Sequence, residues 1–140
     1  MKTYQPKAKD LKRNWHLVDA QDKILGRLAS DTVKFLMGKH KVTYAYQADV
    51  GDYVVVTNSD KIKVSGKKEL QKIYYRHSGY PGGLKAIEYS RLKKENPQKI
   101  LELAVKRMLP VNRLRDIRMK RLKIFIGEKH PYGDKFADLQ

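Results

Sequence analysis

The segment Tyr53-Val54-Val55-Val56-Thr57 is the sequence feature that most restricts the fold of this chain. It is a continuous run of aromatic and β-branched residues, which favour extended backbone. A strand with one face in water usually alternates apolar and polar residues, and this run does not alternate. Such a run is typical of a strand that is buried on both faces of a parallel sheet. The segment therefore predicts one strand of a parallel sheet.

Strand and helix patterns alternate on either side of this segment. Trp15 to Asp19 is predicted to form a first strand. A helix is predicted next, because apolar residues recur there every three or four positions. These residues are Leu25, Leu28, Ala29, Thr32, Val33 and Leu36. Gly38 stands where a helix would end in a left-handed cap, and Ile73 to Tyr75 resembles another strand.

The second half of the chain continues this alternation. Asn96-Pro97 supplies an N-cap and a first-turn proline for a helix that Pro110 ends. Its apolar stripe consists of Ile100, Leu101, Ala104, Val105 and Met108. Asn112 is a candidate cap for a short basic helix, and residues 122–126 are strand-like, with Gly127 closing them. Strands that alternate with helices indicate a small α/β fold with a mostly parallel sheet.

The chain length favours one domain. Its 140 residues suffice for one proper core and are too few for two comfortable ones. Residues 1–14 contain Pro6, five basic residues and few large apolar ones, so we expect an extended basic N-terminal arm. We expect the α/β core to span residues 15–127 and a C-terminal tail to span residues 128–140.

The charge balance bears on partners. Lysine and arginine total 31 against 15 aspartate and glutamate, which gives a net charge of +16. Such a chain repels itself unless polyanions surround it, and nucleic acid is the commonest polyanion for a folded basic domain. The excess alone would suit DNA or an anionic membrane almost as well.

No apolar stretch approaches the roughly 20 residues that span a bilayer, and no signal peptide is expected at the start. Cysteine is absent, which excludes disulfides and thiolate metal sites and is compatible with the cytoplasm.

Positive charge is concentrated in residues 106–123, where eight basic residues accompany a single acid, Asp116. The basic residues are Lys106, Arg107, Arg113, Arg115, Arg118, Lys120, Arg121 and Lys123. A solvated helix face normally mixes charges of both signs, and this stretch hardly does so. Because a guanidinium can grip phosphate oxygens bidentately, phosphate binding is favoured over a charged surface without a partner.

A second candidate region interleaves aromatic residues, cations and glycines over residues 74–83. Glycines allow close approach of the backbone, and tyrosine and histidine offer stacking faces for unpaired bases. We interpret Tyr74 as a core residue, and Arg76, His77 and Tyr80 as RNA contacts. Lys39-His40-Lys41 follows the first helix, where cations either complement the helix dipole or contact RNA, and both roles can coexist.

Segments that resemble enzyme motifs lack residues that those motifs require. Ser65-Gly66-Lys67-Lys68 lacks the first glycine and the final Ser or Thr of a phosphate loop. The four histidines show no metal-ligand spacing, and we interpret His16 as structural. Asp49 and Asp52 flank Gly51, where turn chemistry explains them sufficiently. We therefore expect no catalytic residue, cofactor, metal or small-molecule substrate.

Several blocks, in this order and at this spacing, resemble the bacterial large-subunit ribosomal protein L-thirteen family over nearly the whole chain. The blocks are residues 15–20, 25–29, 38–41, 51–58, 64–68, 74–83, 104–110 and 122–131. The resemblance implies a three-layer α/β/α domain around a four-stranded parallel sheet, embedded among helices of large-subunit (23S-type) ribosomal RNA beside other ribosomal proteins. It also implies a role early in subunit assembly.

Carried onto this chain, the resemblance and the residue patterns together give one set of candidate RNA-binding residues. The set is Lys39, His40, Lys41, Lys67, Lys68, Arg76, His77, Ser78, Tyr80, Gly82, Gly83, Lys106, Arg107, Arg113, Arg115, Arg118, Lys120, Arg121, Lys123, Lys129 and His130. The chain departs from the family pattern at Arg107, where the family usually has glycine, at residues 111–115, and in its short tail.

The expected function is therefore that of a structural constituent of the large ribosomal subunit, which binds ribosomal RNA in the cytoplasm. Two alternatives stay open from the sequence. One is a small α/β nucleotide-binding enzyme, because parallel α/β sheets often host such sites. The other is a DNA-compacting protein, which would bind duplex DNA at least as well as structured RNA.

Overall fold

The computed structural model describes residues 2–137, which form five strands and five α-helices. In chain order the strands are β1 (Trp15–Asp19), β2 (Tyr53–Thr57), β3 (Ile73–His77), β4 (Leu84–Glu88) and β5 (Leu122–Ile124). The helices are α1 (Leu25–Met37), α2 (Lys68–Gln71), α3 (Tyr89–Glu95), α4 (Pro97–Met108) and α5 (Leu114–Lys120). Short 3-10 helices lie at Ala8–Asp10, Ser59–Lys61 and Gly133–Lys135.

Strand β2 lies at the centre of a parallel sheet, between β1 and β5. Val54, Val55 and Val56 are all 0% exposed, because neighbours cover both faces and both edges of the strand. The prediction of a doubly buried parallel strand is confirmed. The fold is mixed α/β, as the alternation of patterns indicated.

Helices α1 and α4 pack together on the face of the sheet that carries Val54 and Val56. The predicted apolar stripe of α1 lines this core, and so does that of α4 except for Met108, which is 45% exposed. Burying such a stripe is what stabilises a helix of this length. Gly38 ends α1 with a φ of 79°, the left-handed cap that was predicted. Pro97 begins α4 as predicted, although the Asn96 side chain makes no capping hydrogen bond.

The opposite face of the sheet is lined with aromatic rings. Trp15 stacks on Tyr53 with ring centroids 4.3 Å apart, and the ring of Tyr132 lies 5.1 Å from that of Trp15. Phe136 meets Trp15 edge-on at 6.5 Å, so the C-terminal segment folds back over the sheet. The predicted tail thus contacts the sheet through Tyr132 and Phe136, and residues 138–140 lie outside the described residues. The expected three-layer arrangement is not confirmed.

Two features of the predicted sheet need correction. Among residues 2–137 the parallel sheet has three strands rather than four, and only an isolated bridge joins Ile24 to Lys63 beyond them. The segment that begins at Ile73 does form a strand, but β3 pairs antiparallel with β4 in a separate hairpin. The hairpin forms because Gly79 and Gly82 adopt φ values of 87° and 72° in its turn, which reverses the chain.

The predicted N-terminal arm begins exposed and ends attached to the domain. Residues 2–5 and 7–10 are exposed, whereas Arg13 and Asn14 hydrogen-bond to the segment before β2. Met1, also assigned to the arm, lies outside the described residues. No helix within residues 2–137 has the length and apolar character that a bilayer crossing requires.

Candidate nucleic-acid interface

The predicted RNA-binding residues differ widely in burial. Those that are exposed are Lys39, His40, Lys67, Lys68, Arg76, His77, Ser78, Tyr80, Gly82, Lys106, Arg107, Arg113, Lys120 and Lys129. Those that are half-buried are Lys41, Gly83, Arg115, Lys123 and His130, and Arg118 and Arg121 are buried. The cations of this chain therefore form two populations, which have different surroundings.

The β3–β4 hairpin is exposed over almost its whole length. Of its ten strand residues only Tyr74 is buried, which agrees with its interpretation as a core residue. Tyr75 and Leu84 are each 58% exposed, so the hairpin presents apolar as well as basic side chains to its surroundings. An isolated two-stranded hairpin is marginally stable in water. This hairpin is anchored to the domain at its base, because Tyr74 packs in the core and the Tyr89 N–H donates a hydrogen bond to the Lys72 carbonyl.

The turn of the hairpin is held by its own small residues. The Ser78 N–H donates to the Gly83 carbonyl at 3.1 Å, and the Gly79 N–H donates to His77 Nδ1 at 2.9 Å. A Cβ on Gly83 would lie 1.9 Å from Ser78 Oγ, so no side chain fits there. Tyr80, at the tip, is 76% exposed and has its ring free for stacking.

Two cations oppose each other across the hairpin. Arg76 is the register partner of Lys85, and both residues are exposed. Like charges directly opposite in an antiparallel pair repel, and among the described residues neither has an acidic ion-pair partner. The repulsion between these cations destabilises the hairpin of the free protein slightly, and it favours the binding of a polyanion.

The segment around α5 divides its cations between surface and interior. Asn112 Oδ1 accepts the Leu114 N–H at 3.1 Å at the start of the helix, which supports its predicted capping role. Arg113, just before α5, and Lys120, its last residue, are exposed, whereas Arg118 within the helix is only 1% exposed. Arg121, which follows the helix, is 5% exposed.

The buried arginines surround the carboxylate of Asp49. Arg121 makes a bidentate pair with it, both N–O distances being 2.6 Å, and also donates to the Leu36 carbonyl at 3.1 Å. Arg13 approaches the same carboxylate at 3.4 Å, and Arg118 Nε lies 3.8 Å from it. That contact is too long for a hydrogen bond, and Nε and Nη1 of Arg118 have no hydrogen-bond partner among the described residues.

The carboxylate of Asp52, three residues further on, organises a second group of hydrogen-bond donors. Its side chain is 0% exposed and accepts hydrogen bonds from His16 Nε2 at 2.8 Å and His40 Nε2 at 2.9 Å. Lys41 Nζ binds the other carboxylate oxygen, and the Asn14 N–H donates to it at 3.1 Å. One aspartate thus joins the end of the N-terminal segment, β1 and the loop after α1.

The environment of Asp52 keeps it ionised. Burial by itself raises the pKa of this carboxyl, but hydrogen bonds from His16, Lys41 and the Asn14 N–H, with the charge of Lys41, hold the pKa well below its ordinary value. An ionised carboxylate only accepts hydrogen bonds, so each imidazole carries a proton on Nε2. The aspartate therefore fixes the orientation of both rings.

We call the group of residues around these two carboxylates the Asp49–Asp52 cluster; its members are Arg13, Asn14, His16, His40, Lys41, Asp49, Gly51, Asp52, Arg118 and Arg121. Gly51 has no room for a side chain, since a Cβ would lie 1.7 Å from the Leu36 carbonyl oxygen. The interpretation of Asp49 and Asp52 as simple turn residues was wrong, because both carboxylates bind side chains from distant segments. Two acids flanking a glycine in so basic a chain were the signal that could have revealed the cluster.

The same cluster contains a possible metal-ligand set that linear spacing did not reveal. Ligand atoms of His16, His40 and Asp52 lie within 4.8 Å of one another. Both imidazoles already donate to the carboxylate, and the cation of Lys41 binds its second oxygen. We therefore assign these three residues to the Asp49–Asp52 cluster and give them no catalytic role.

Comparisons with known proteins agree with the resemblance found in the sequence. Residues 13–131 match the family model described as ribosomal protein L13. Relatives named large ribosomal subunit protein uL13 include one from Thermobifida fusca, 52% identical over 94% of this chain and 89% of the relative. Another, from Natranaerobius thermophilus, is 52% identical over 93% of this chain and 91% of the relative. A third, from Streptomyces coelicolor, is 50% identical over 95% of this chain and 90% of the relative. The family model covers residues 13–131, and these relatives are about half identical to the chain over more than nine-tenths of its length, so the chain belongs to the ribosomal protein L13 family.

Proposed function

We propose that this chain binds large-subunit ribosomal RNA through two exposed surfaces, the β3–β4 hairpin and the cations Arg113 and Lys120 at the two ends of α5. The Asp49–Asp52 cluster serves a different purpose: it joins the end of the N-terminal segment, β1, the loop after α1 and the end of α5. The opposed, acid-free pair Arg76 and Lys85 is the observation that carries the proposal. A polyanion bound across the hairpin turns that repulsion into attraction to both residues.

As a member of this family, the chain is a structural component of the ribosome and not an enzyme. Its relatives are named as large-subunit proteins, which supports a place in the large subunit, in the cytoplasm, beside ribosomal RNA and other ribosomal proteins. A role early in subunit assembly fits a rigid domain that neutralises phosphates where RNA helices converge.

The proposed contacts refine the candidate set from the sequence. The exposed members, among them Lys39, Lys67, Lys106, Lys120 and Lys129, supply cations that face solvent. Arg118 and Arg121 are too buried to reach a phosphate from the surface, so we assign them to the cluster rather than to RNA. His40 and Lys41 hold Asp52, and their exposed edges leave room for an RNA contact as well.

The test is RNA binding by the full chain after charge reversal on the two surfaces. Arg76→Glu with Lys85→Glu, and Arg113→Glu with Lys120→Glu, should each weaken binding to a large-subunit RNA fragment and leave the circular dichroism spectrum unchanged. In the wild type, log affinity should fall with log salt by roughly 0.7 to 0.9 per phosphate contacted. Lys94→Glu, on the exposed side of α3, is the control for a general loss of charge.

Three results would count against the proposal. The first is a nearly flat salt response, and the second is reversal variants that bind as the control does. The third is affinity for duplex DNA equal to that for structured RNA, which would favour a DNA-compacting protein. Sedimentation of a cell lysate adds a test of location, because a wholly free pool of the protein is incompatible with a subunit component.

A further inference from the structure

A cavity of about 250 Å³ lies between the first turn of α1, the segment from Ser65 to Tyr74, and the end of α4. Three cationic side chains line it, Lys68, Lys72 and Arg107. Among residues 2–137, no acidic residue belongs to its lining. The cavity is separate from the Asp49–Asp52 cluster and contains Arg107, the residue at which the sequence departs from the family pattern.

The three cations have no anionic partner in the part of the chain that the structure describes. Glu69, the acid next in sequence to Lys68, pairs with Lys93 instead. Burial lowers the pKa of Lys72, and the charges of Lys68 and Arg107 lower it further. The cations therefore repel one another, and an anion placed among them would relieve this repulsion.

Tyr74 holds two of the cations at the cavity. Lys72 Nζ lies 5.2 Å from the centroid of the Tyr74 ring and Arg107 Cζ lies 5.8 Å from it, both within cation–π range. Tyr74 is 7% exposed, and its hydroxyl has no hydrogen-bond partner among residues 2–137. The aromatic ring thus orders the cations before any ligand arrives, which lowers the entropic cost of binding.

The backbone adds a further positive contribution. Helix α1, which has thirteen residues, begins at this cavity, and within residues 2–137 no side chain caps its first turn. The Leu25 N–H donates to the Lys63 carbonyl at 2.9 Å, so the next N–H groups of the turn are the ones that face an anion. The N-terminus of a helix favours an anion through its dipole and its free N–H groups. Gly26, in that first turn, lines the cavity without a side chain, and Ser65 brings a hydroxyl to the opposite wall.

We propose that this cavity binds a phosphate group, held by Arg107, Lys68 and Lys72 at the start of α1. The segment Ser65-Gly66-Lys67-Lys68, which fails as a phosphate loop in sequence, thus contributes to a phosphate site of another kind. The phosphate has two possible sources, the backbone of an RNA strand or a free phosphorylated molecule. Only the first source rests on the proposed function.

Titration of the full chain with inorganic pyrophosphate, at constant ionic strength, tests the site itself. The wild type should bind with saturable one-to-one stoichiometry by calorimetry. Arg107→Gln should weaken this binding roughly tenfold, since it removes a charge-assisted hydrogen bond. Because Arg107 is exposed, the variant should fold, and Lys72→Gln provides a second test from the other wall. Lys94→Gln, which removes an exposed charge outside the cavity, should bind as the wild type does.

An RNA titration with the same variants identifies the source. If the phosphate belongs to RNA, Arg107→Gln should weaken RNA binding and lower the salt slope by about one phosphate contact. If only pyrophosphate binding falls, the source is a free phosphorylated molecule. A wild type that does not bind pyrophosphate, or an Arg107→Gln variant that binds it equally well, overturns the site. Failure of the proposed function has another signature: hairpin and α5 reversals would then leave RNA binding intact while pyrophosphate binding persists.

Discussion

The Asp49–Asp52 cluster and the β3–β4 hairpin use the same cationic residue types in opposite ways. In the cluster, Lys41 and Arg121 are paired with carboxylates of the chain itself and are largely hidden from solvent. In the hairpin, Arg76 and Lys85 face each other in solvent, and neither has an acidic partner among the residues that the structure describes. A cation whose counter-ion lies within the chain stabilises the fold, whereas a cation that lacks one is available for a ligand.

The comparison implies that substitutions in the two regions have separable effects. Substitutions in the cluster should lower the free energy of unfolding of the isolated protein. Substitutions in the hairpin should weaken RNA binding and leave the free energy of unfolding almost unchanged. The expected effects on unfolding span nearly an order of magnitude between the two regions.

The largest effect is expected from Asp52→Ala. The substitution leaves Lys41 and two imidazoles without the buried carboxylate that they share. Removing one partner of a buried ion pair costs about 3–5 kcal/mol, so urea unfolding at neutral pH should show a loss of this size. Asp60→Ala, at an exposed position, is the control and should stay within about 0.5 kcal/mol of the wild type. Similar losses in the two variants would mean that the cluster contributes nothing special.

Acid should remove the same interaction without a mutation. The pKa of Asp52 is lower in the folded protein than its value of about 3.9 in an unfolded chain. Its contribution is therefore complete above about pH 4 and is lost as the pH falls toward the lower folded value, where the folded carboxylate also protonates. Urea unfolding between pH 2 and pH 5 should show a shallower pH dependence in Asp52→Asn than in the wild type. Equal slopes would contradict the role assigned to this carboxylate.

Arg121→Lys tests whether geometry as well as charge matters in the cluster. Lysine keeps the charge but cannot make the bidentate pair with Asp49 while also donating to the Leu36 carbonyl. The loss of charge-assisted hydrogen bonds predicts a destabilisation of about 1.5–3 kcal/mol, measured by urea unfolding. Arg113→Lys, the same change at the exposed position just before α5, should be nearly neutral. If both changes are neutral, the buried arginine acts only through its charge.

The elements that could be predicted from sequence are those whose pattern is set by their own burial. Strand β2 and helices α1 and α4 show runs or stripes of apolar residues because one packed surface determines each of them. Strand β4 and helix α3 were missed, since all five β4 residues are exposed and α3 buries only Tyr89 and Leu92. The number of strands in the sheet was wrong because pairing depends on distant segments.

The candidate site shows the same limit. The sequence identifies which residues are cationic, but it does not tell which of these side chains face solvent. Arg113 and Arg118 stand five positions apart in one basic stretch, yet only Arg118 turns toward Asp49. The cluster joins segments more than thirty positions apart, such as Arg13 and Asp49, and no local pattern reveals such contacts.

The smallest effect on unfolding is expected from Lys85→Glu in the hairpin, and its direction matters most. The substitution replaces repulsion across from Arg76 with attraction, so the free protein should become more stable by roughly 0.2–1 kcal/mol. The same change should weaken RNA binding, because it places a negative charge where the backbone phosphates are proposed to lie. Thermal unfolding and RNA titration of one preparation measure both effects, and Lys85→Gln should fall between the wild type and Lys85→Glu in each. A variant that gains stability and keeps full RNA affinity would show that the hairpin cations are surplus charge, and the contrast with the buried cluster would then lose its functional meaning.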